Sequence, residues 1–358
     1  MGNIFDYLKW RDIKLEKVEF NVIDSLILAR FSYLPFDGLI EEEEKITIKE
    51  CFERYQIVGE RGNILMKTDE DLFPIMANSK RFGNLYISDY VNIIDKKKDL
   101  QFSAITVFLP DKTMAVVFRG TDNTFVGWKE DLNMSFSTTV PAQIYAVEYL
   151  DNIYSRYKKN IRVIGHSKGG NLSIYSAVFC NKKTKNKILD VYNFDGPGFM
   201  DKVIDSEEYG EIENKIHNII PESSIVGRML KHKGELTIVK STEKGIMQHD
   251  LYSWQLIGDK FIEAKLTTSS EFVDKTLNEW LQNVTPQQRK NFVNTIFEIL
   301  DATEAKSFSE LSQRKFSTAK TIITKYQKLD DESKDYVNRA LNMFLVSGKD
   351  SIPLIKKK

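Results

Sequence analysis

The middle of the chain alternates between short apolar runs and helical periods. Phe102–Leu109 (FSAITVFL) and Thr113–Phe118 (TMAVVF) are rich in β-branched and apolar residues, and Pro110-Asp111-Lys112 between them is turn chemistry. The pattern predicts a hairpin. Further strands are predicted at 161–164 (IRVI), 189–194 (LDVYNF), 216–220 (IHNII) and 236–239 (LTIV), with helices over 143–157 and 172–179. Strands alternating with helices imply a largely parallel sheet covered on both faces.

The flanks read differently. The stretch up to about Tyr55 looks helical, with Val22, Leu26, Ile27, Arg30 and Phe31 on a 3.6 period. The segment from about Ile57 to Asp99 is mixed. From Ser269 onward the pattern is purely helical. Phe272, Val273, Leu277, Trp280 and Leu281 make one apolar stripe. Thr285-Pro286-Gln287-Gln288 is a capping box that opens a helix bearing Phe292, Val293, Ile296, Phe297 and Leu300. A last helix over about 331–346, with Tyr336, Val337, Leu341, Phe344 and Leu345, stops near Gly348. The expected organisation is an α/β core over 1–265 and a C-terminal helical appendage over 266–358.

Composition narrows the function classes. In 358 residues, 51 Lys+Arg balance 51 Asp+Glu, which argues against a nucleic-acid binder working through a general basic field. Cys51 and Cys180 form no CxxC or Cys/His cluster, so a reduced, cytoplasmic protein is expected. The N-terminus lacks the basic and apolar regions of a secretory signal. Asp6 stands where a myristoylation motif wants Ser or Thr, and no apolar run approaches a transmembrane length. Zinc-protease, EF-hand, Walker and GxGxxG patterns are missing from the sequence, so no metal and no cofactor is inferred.

The chemistry concentrates in Ile161-Arg-Val-Ile-Gly165-His166-Ser167-Lys168-Gly169-Gly170-Asn171-Leu172. A strand, Gly-x-Ser-x-Gly and a helix together describe a nucleophile on a sharp turn. Glycines two before and two after Ser167 let the chain bend, and the next amide, that of Lys168, faces a developing oxyanion. A second segment, Ala115–Asp122 (AVVFRGTD), ends a strand in Arg119-Gly120-Thr121. The Thr121 amide suits the other half of the oxyanion hole, and its hydroxyl offers a further bond. Arg119 and Asp131 are expected either to pair or to lie at the surface.

These two segments, with Trp128 and Asp131, resemble the class 3 lipase branch of the α/β-hydrolases. A closer likeness is to an uncharacterised bacterial group of predicted hydrolases near that branch. That group also resembles this chain at 31–38 (FSYLPFDG), 193–199 (NFDGPGF), 224–227 (SIVG) and 248–254 (QHDLYSW). The likeness runs from about Asn21 to Phe261. It implies an α/β-hydrolase-like, mostly parallel sheet flanked by helices, and hydrolysis of a carboxylic ester or lipid. Lys168 stands where class 3 lipases usually have leucine. Its side chain is expected to sit at the site mouth as a cation or to point away.

A base that takes and returns a proton near neutral pH must be a histidine. His166 lies inside the turn, His217 within a strand where a packed core role is expected, and His232 between two lysines in what reads as solvated surface. His249 follows the last core strand, as the order serine, acid, histidine requires. For the acid, Glu222 after the strand at 216–220 is favoured, with Asp195 as the other candidate. The class 3 pattern, an acid two before a valine, lands on Ser224. The function expected is ester hydrolysis through an acyl-enzyme on Ser167. The alternatives are thioester or acyl-transfer chemistry on the same groups, or a degenerate hydrolase fold that binds or scaffolds.

Overall fold

The computed structural model describes residues 2–58, 66–122, 124–268, 270–271, 284–303, 305, 307, 310, 315–331, 334–335 and 338. Eight strands form one sheet: β1 (Lys45–Thr47), β2 (Tyr86–Asp95), β3 (Leu100–Phe108), β4 (Met114–Phe118), β5 (Ile161–His166), β6 (Ile188–Phe194), β7 (Ile216–Pro221) and β8 (Leu236–Val239). They lie side by side in chain order. β1 to β4 pair antiparallel, and β4 to β8 pair parallel. This is the α/β-hydrolase-like sheet expected from the sequence.

The hairpin forms as predicted, with Phe108 opposite Met114. Asp111 sets its turn by accepting the Thr113 amide at 2.9 Å, while Lys112 takes a left-handed φ of 67°. The predicted strands at 161–164, 189–194 and 216–220 each extend by a residue or two, and 236–239 is unchanged.

Side chains alternate across each strand, so one strand feeds two cores. Met114, Val116 and Phe118 of β4 join the helices α6 (Pro141–Tyr157) and α7 (Lys168–Phe179). Ala115 and Val117 face the other way, into a cluster built on α1 (Ile4–Trp10), α2 (Val22–Phe31), α3 (Ile48–Ile57) and α4 (Asp69–Asn78). The two layers follow from the strand order. Right-handed crossovers that always step in the same direction leave their helices on one face. The N-terminal helices cover the other.

That placement changes the reading of α2. A one-faced stripe is expected, yet every residue from Ile23 to Phe31 is buried, because α2 lies between the sheet and other helices. Its two charged residues are neutralised inside. Asp24 pairs with Arg81 at 2.5 Å and accepts the Tyr7 hydroxyl at 2.9 Å. Arg30 pairs with Asp69, which also accepts the Tyr252 hydroxyl at 2.8 Å. The described part of the mixed segment contains α4 and β2.

The capping box at Thr285 opens α8 (Pro286–Asp301): Gln288 accepts the Thr285 amide at 2.9 Å, and its own amide donates back to the Thr285 hydroxyl. Phe292, Val293, Phe297 and Leu300 are buried against Phe125 of α5 (Phe125–Asn133). α9 (Lys315–Gln327) follows. The stripe at Phe272, Val273, Leu277, Trp280 and Leu281, and most of the last expected helix, lie outside the described residues. Among the described residues, no helix is long and apolar enough to cross a membrane.

Candidate active site

β5 ends at His166 and α7 begins at Lys168, leaving Ser167 to make the turn at φ 58°, ψ −132°. A non-glycine residue there costs on the order of 1–3 kcal/mol and persists only where its surroundings hold it. Those surroundings are backbone. A Cβ on Gly165 would stand 2.0 Å from the Gly169 carbonyl oxygen, and one on Gly169 would stand 2.2 Å from that of Phe118. Both glycines are therefore required by contact distance. The Ser167 amide donates to Phe194 O at 3.0 Å, and the residue stays partly open to solvent.

His249 reaches this turn through the loop after β8. Its ring lies 4.5 Å, centroid to centroid, from that of His166, the neighbour of Ser167. Its Nδ1 sits 2.7 Å from Asp195 Oδ2. A carboxylate there only accepts, so Nδ1 carries the proton of this bond and Nε2 is the nitrogen left to face outward from it. Asp195 directly follows β6, is buried, and takes a left-handed φ of 50°.

The sequence favours Glu222 as the acid; the structure puts Asp195 against the imidazole instead. Glu222 begins the loop after β7, where its amide donates to Val239 O and its carbonyl accepts from Thr267 N. β6 and β7 end at the same edge of the sheet, so strand order alone does not say which loop meets His249.

The second expected oxyanion segment leaves β4 beside the turn. A Cβ on Gly120 would lie 3.1 Å from Ser167 Cβ and 2.1 Å from the Tyr33 hydroxyl oxygen, so only glycine fits. This brings the backbone before Thr121 to Ser167. The Thr121 hydroxyl donates to Asp131, so it is not the free extra donor the sequence suggests. Burial pushes the Asp131 carboxyl up to about 6 against the pull of Lys168. Asp131 does not pair with Arg119, which donates to Asn92 Oδ1 at 3.0 Å and lies 3.6 Å from Asp122.

Lys168 turns away from the mouth. Its side chain is buried, and Nζ donates to Gln101 O at 2.8 Å, Gln101 Oε1 at 2.5 Å and Glu130 Oε2 at 3.0 Å. Glu130 in turn accepts the amides of Gln101 and Ala142. The ammonium is held among acceptors beneath the site.

Two residues outside the expected set shape the site. His166 Nε2 lies 2.9 Å from the His249 carbonyl, an acceptor, so that nitrogen carries the proton. Nδ1 then accepts the Tyr33 hydroxyl at 2.9 Å. Burial, His249 and Arg30 hold the His166 ring well below its ordinary range, which keeps it neutral. Tyr33 lies in the FSYLPFDG segment, whose likeness to the hydrolases was its only signal. The other two histidines also depart from their expected settings, His232 being half-buried. His217 is exposed and bonded to Asp190 at 3.0 Å, whereas burial pushes His232 down to about 4. Among the described residues, no His, Cys, Asp and Glu cluster is arranged to hold a metal ion.

Solved structures similar to this chain include lipases. One is the native Rhizomucor miehei lipase–propeptide complex, at 15% identity and TM-score 0.37, covering 60% of this chain and 66% of that one. Another is a fungal lipase–inhibitor complex described as a model for interfacial activation, at 13% identity and TM-score 0.40, covering 60% and 77%. A triacylglycerol lipase from Penicillium expansum is similar at 12% identity and TM-score 0.31, covering 47% and 72%. No curated protein matches the sequence. A family model described as Mbeg1-like matches residues 76–298, more than half of the chain and a span that holds Ser167, Asp195 and His249. The chain is a member of the Mbeg1-like family.

Proposed function

We propose that the protein is a serine hydrolase that cleaves carboxylic esters through an acyl-enzyme on Ser167. The observation that carries this reading is the His249 Nδ1–Asp195 Oδ2 bond of 2.7 Å at the strained turn of Ser167. In this reading His249 Nε2 takes the Ser167 proton as Oγ attacks the acyl carbon. Asp195 stabilises the imidazolium, which then returns the proton to the leaving alkoxide. Water, activated by the same imidazole, releases the acid. The backbone amides of Thr121 and Lys168 hold the oxyanion; losing one such donor typically costs about 3 kcal/mol of transition-state stabilisation.

An apolar acyl group suits the surroundings. Ile246 and Met247, just before His249, are exposed. Cys51 and Cys180 are buried free thiols, in keeping with a cytoplasmic setting.

The test is labelling with a fluorophosphonate probe, beside hydrolysis of p-nitrophenyl esters of graded chain length. Wild type should be labelled and Ser167→Ala should not. Failure of the wild type both to label and to turn over any ester would overturn the hydrolase reading and favour a binding role. Product analysis with added thiol or alcohol acceptors separates hydrolysis from acyl transfer.

A further inference from the structure

The Asp195 carboxylate has two ends with different partners. Oδ2 meets His249, and Oδ1 is turned into the loop after β7. There it accepts the Ser224 hydroxyl at 2.5 Å and the Gly227 amide at 3.1 Å. Gly227 N also lies 3.0 Å from Ser224 Oγ, so the three groups close a small ring. Asp195 is 1% exposed and Ser224 2%. A Cβ on Gly227 would stand 2.4 Å from Asp195 Oδ1, so glycine is what lets that amide approach.

Ser224 is itself fastened on both sides. Its amide donates to Pro221 O at 3.0 Å, and its carbonyl accepts the buried Ser270 hydroxyl at 2.8 Å. The same stretch beyond the core is tied to the two preceding residues. Thr267 N donates to Glu222 O at 2.9 Å, and Thr267 Oγ1 lies 2.9 Å from Ser223 Oγ.

We infer that Ser224 is a positioning residue for Asp195, and that Ser270, with Thr267 beside it, holds Ser224 in place. With Oδ1 occupied by two donors, the carboxylate has one orientation left, the one that aims Oδ2 at the imidazole. The Ser224 donor also draws charge from the carboxylate and so limits how strongly Asp195 stabilises the imidazolium. The device joins the loops after β6 and β7 and makes the start of the C-terminal segment part of the site's support. Its kinetic consequence rests on the ester-hydrolase reading above; its effect on the His249 ring does not.

The test compares wild type, Ser224→Ala, Ser224→Cys (a weaker donor of similar size) and Ser270→Ala. Readouts are kcat and KM on p-nitrophenyl butyrate, the pH profile of kcat/KM, and the His249 titration followed by NMR. Ser224→Ala should lose roughly tenfold in kcat at unchanged KM. It should also raise the midpoint of the acid limb, and of the His249 titration, by roughly half a pH unit. His166 and Asp250, the other titratable groups beside His249, are the same in every variant. Ser224→Cys should fall between wild type and Ser224→Ala, and Ser270→Ala should move the same way by less. A Ser224→Ala enzyme with wild-type kcat and an unmoved midpoint overturns the inference. If Ser224→Ala does not fold, Ser224→Cys and Ser270→Ala decide by the same shifts. If wild type neither labels with fluorophosphonate nor hydrolyses esters, the hydrolase reading fails alone. The His249 titration then decides: a value moved in the serine variants supports the inference, raised where the lost donor frees charge on Asp195 and lowered where the carboxylate swings away from the ring, and an unchanged one overturns it.

Discussion

Replacing Lys168 by methionine keeps the length and volume of the side chain and removes the ammonium. In the wild type that ammonium lies 3.0 Å from Glu130 and 3.8 Å from Asp131, with both the Lys168 and Glu130 side chains fully buried. The substitution strands Glu130 as a buried carboxylate with two backbone donors and no counter-charge. Breaking one partner of such a pair costs about 3–5 kcal/mol. For a chain of this size, with roughly 2 cal/mol/K of unfolding entropy per residue, that corresponds to a fall in Tm of about 4–7 °C at pH 7.5. The loss should depend on pH in one direction. In the variant the buried carboxylate is without its cation, so the penalty falls on the ionised form: it is absent where the carboxyl is protonated and grows as pH rises and the group must ionise. Melting curves of both proteins by intrinsic tryptophan fluorescence, from pH 5 to 8, measure it. The gap should be widest at pH 8 and narrow on acidification. A gap below about 1 °C at pH 7.5, or one that widens toward pH 5, would refute the buried-pair account.

Further outcomes follow from the site. Asp195→Asn should cut kcat on an ester by roughly 10³–10⁴-fold, because an amide can stabilise the wrong imidazole tautomer and carries no charge. Glu222→Gln should leave kcat where it is; steady-state kinetics of the two variants would expose a misassigned acid at once. Asp131→Asn should stabilise the protein at pH 8. Burial raises that carboxyl to about 6, so its contribution to stability is intact below the unfolded pKa and is lost as pH rises through 6. With part of the side chain open to solvent, the gain should be about 1–2 kcal/mol at pH 8 and vanish near pH 4, read from thermal or urea melts.

How much of this was legible in the sequence differs by element. The hairpin of β3 and β4, the strands β5 to β8 and the capped start of α8 are written in local apolar runs, turn residues and a capping box, and each forms within a residue or two of its predicted place. The turn at Ser167 was legible for the same reason. Gly165 and Gly169 are needed because backbone atoms approach to within a Cβ's reach, a constraint set within a dozen residues of chain and its neighbouring strand.

Tertiary structure decided the rest. Asp195 rather than Glu222 meets His249 because two parallel strands deliver two loops to one sheet edge, and only their packing selects which carboxylate reaches the imidazole. The direction of Lys168 depended on Glu130 and Gln101, residues 38 and 67 positions away that supply acceptors beneath the turn. The burial of α2 on every side, the pairing of Arg30 with Asp69, and the packing of α8 on Phe125 likewise join residues distant in the chain. Periodicity and turn chemistry act over a few residues, so the sequence by itself determined the elements and the bend that carries the serine. The pairing of charges and the choice of neighbours are settled only when those elements pack, because the free energy of a buried polar group depends on partners the local sequence does not name.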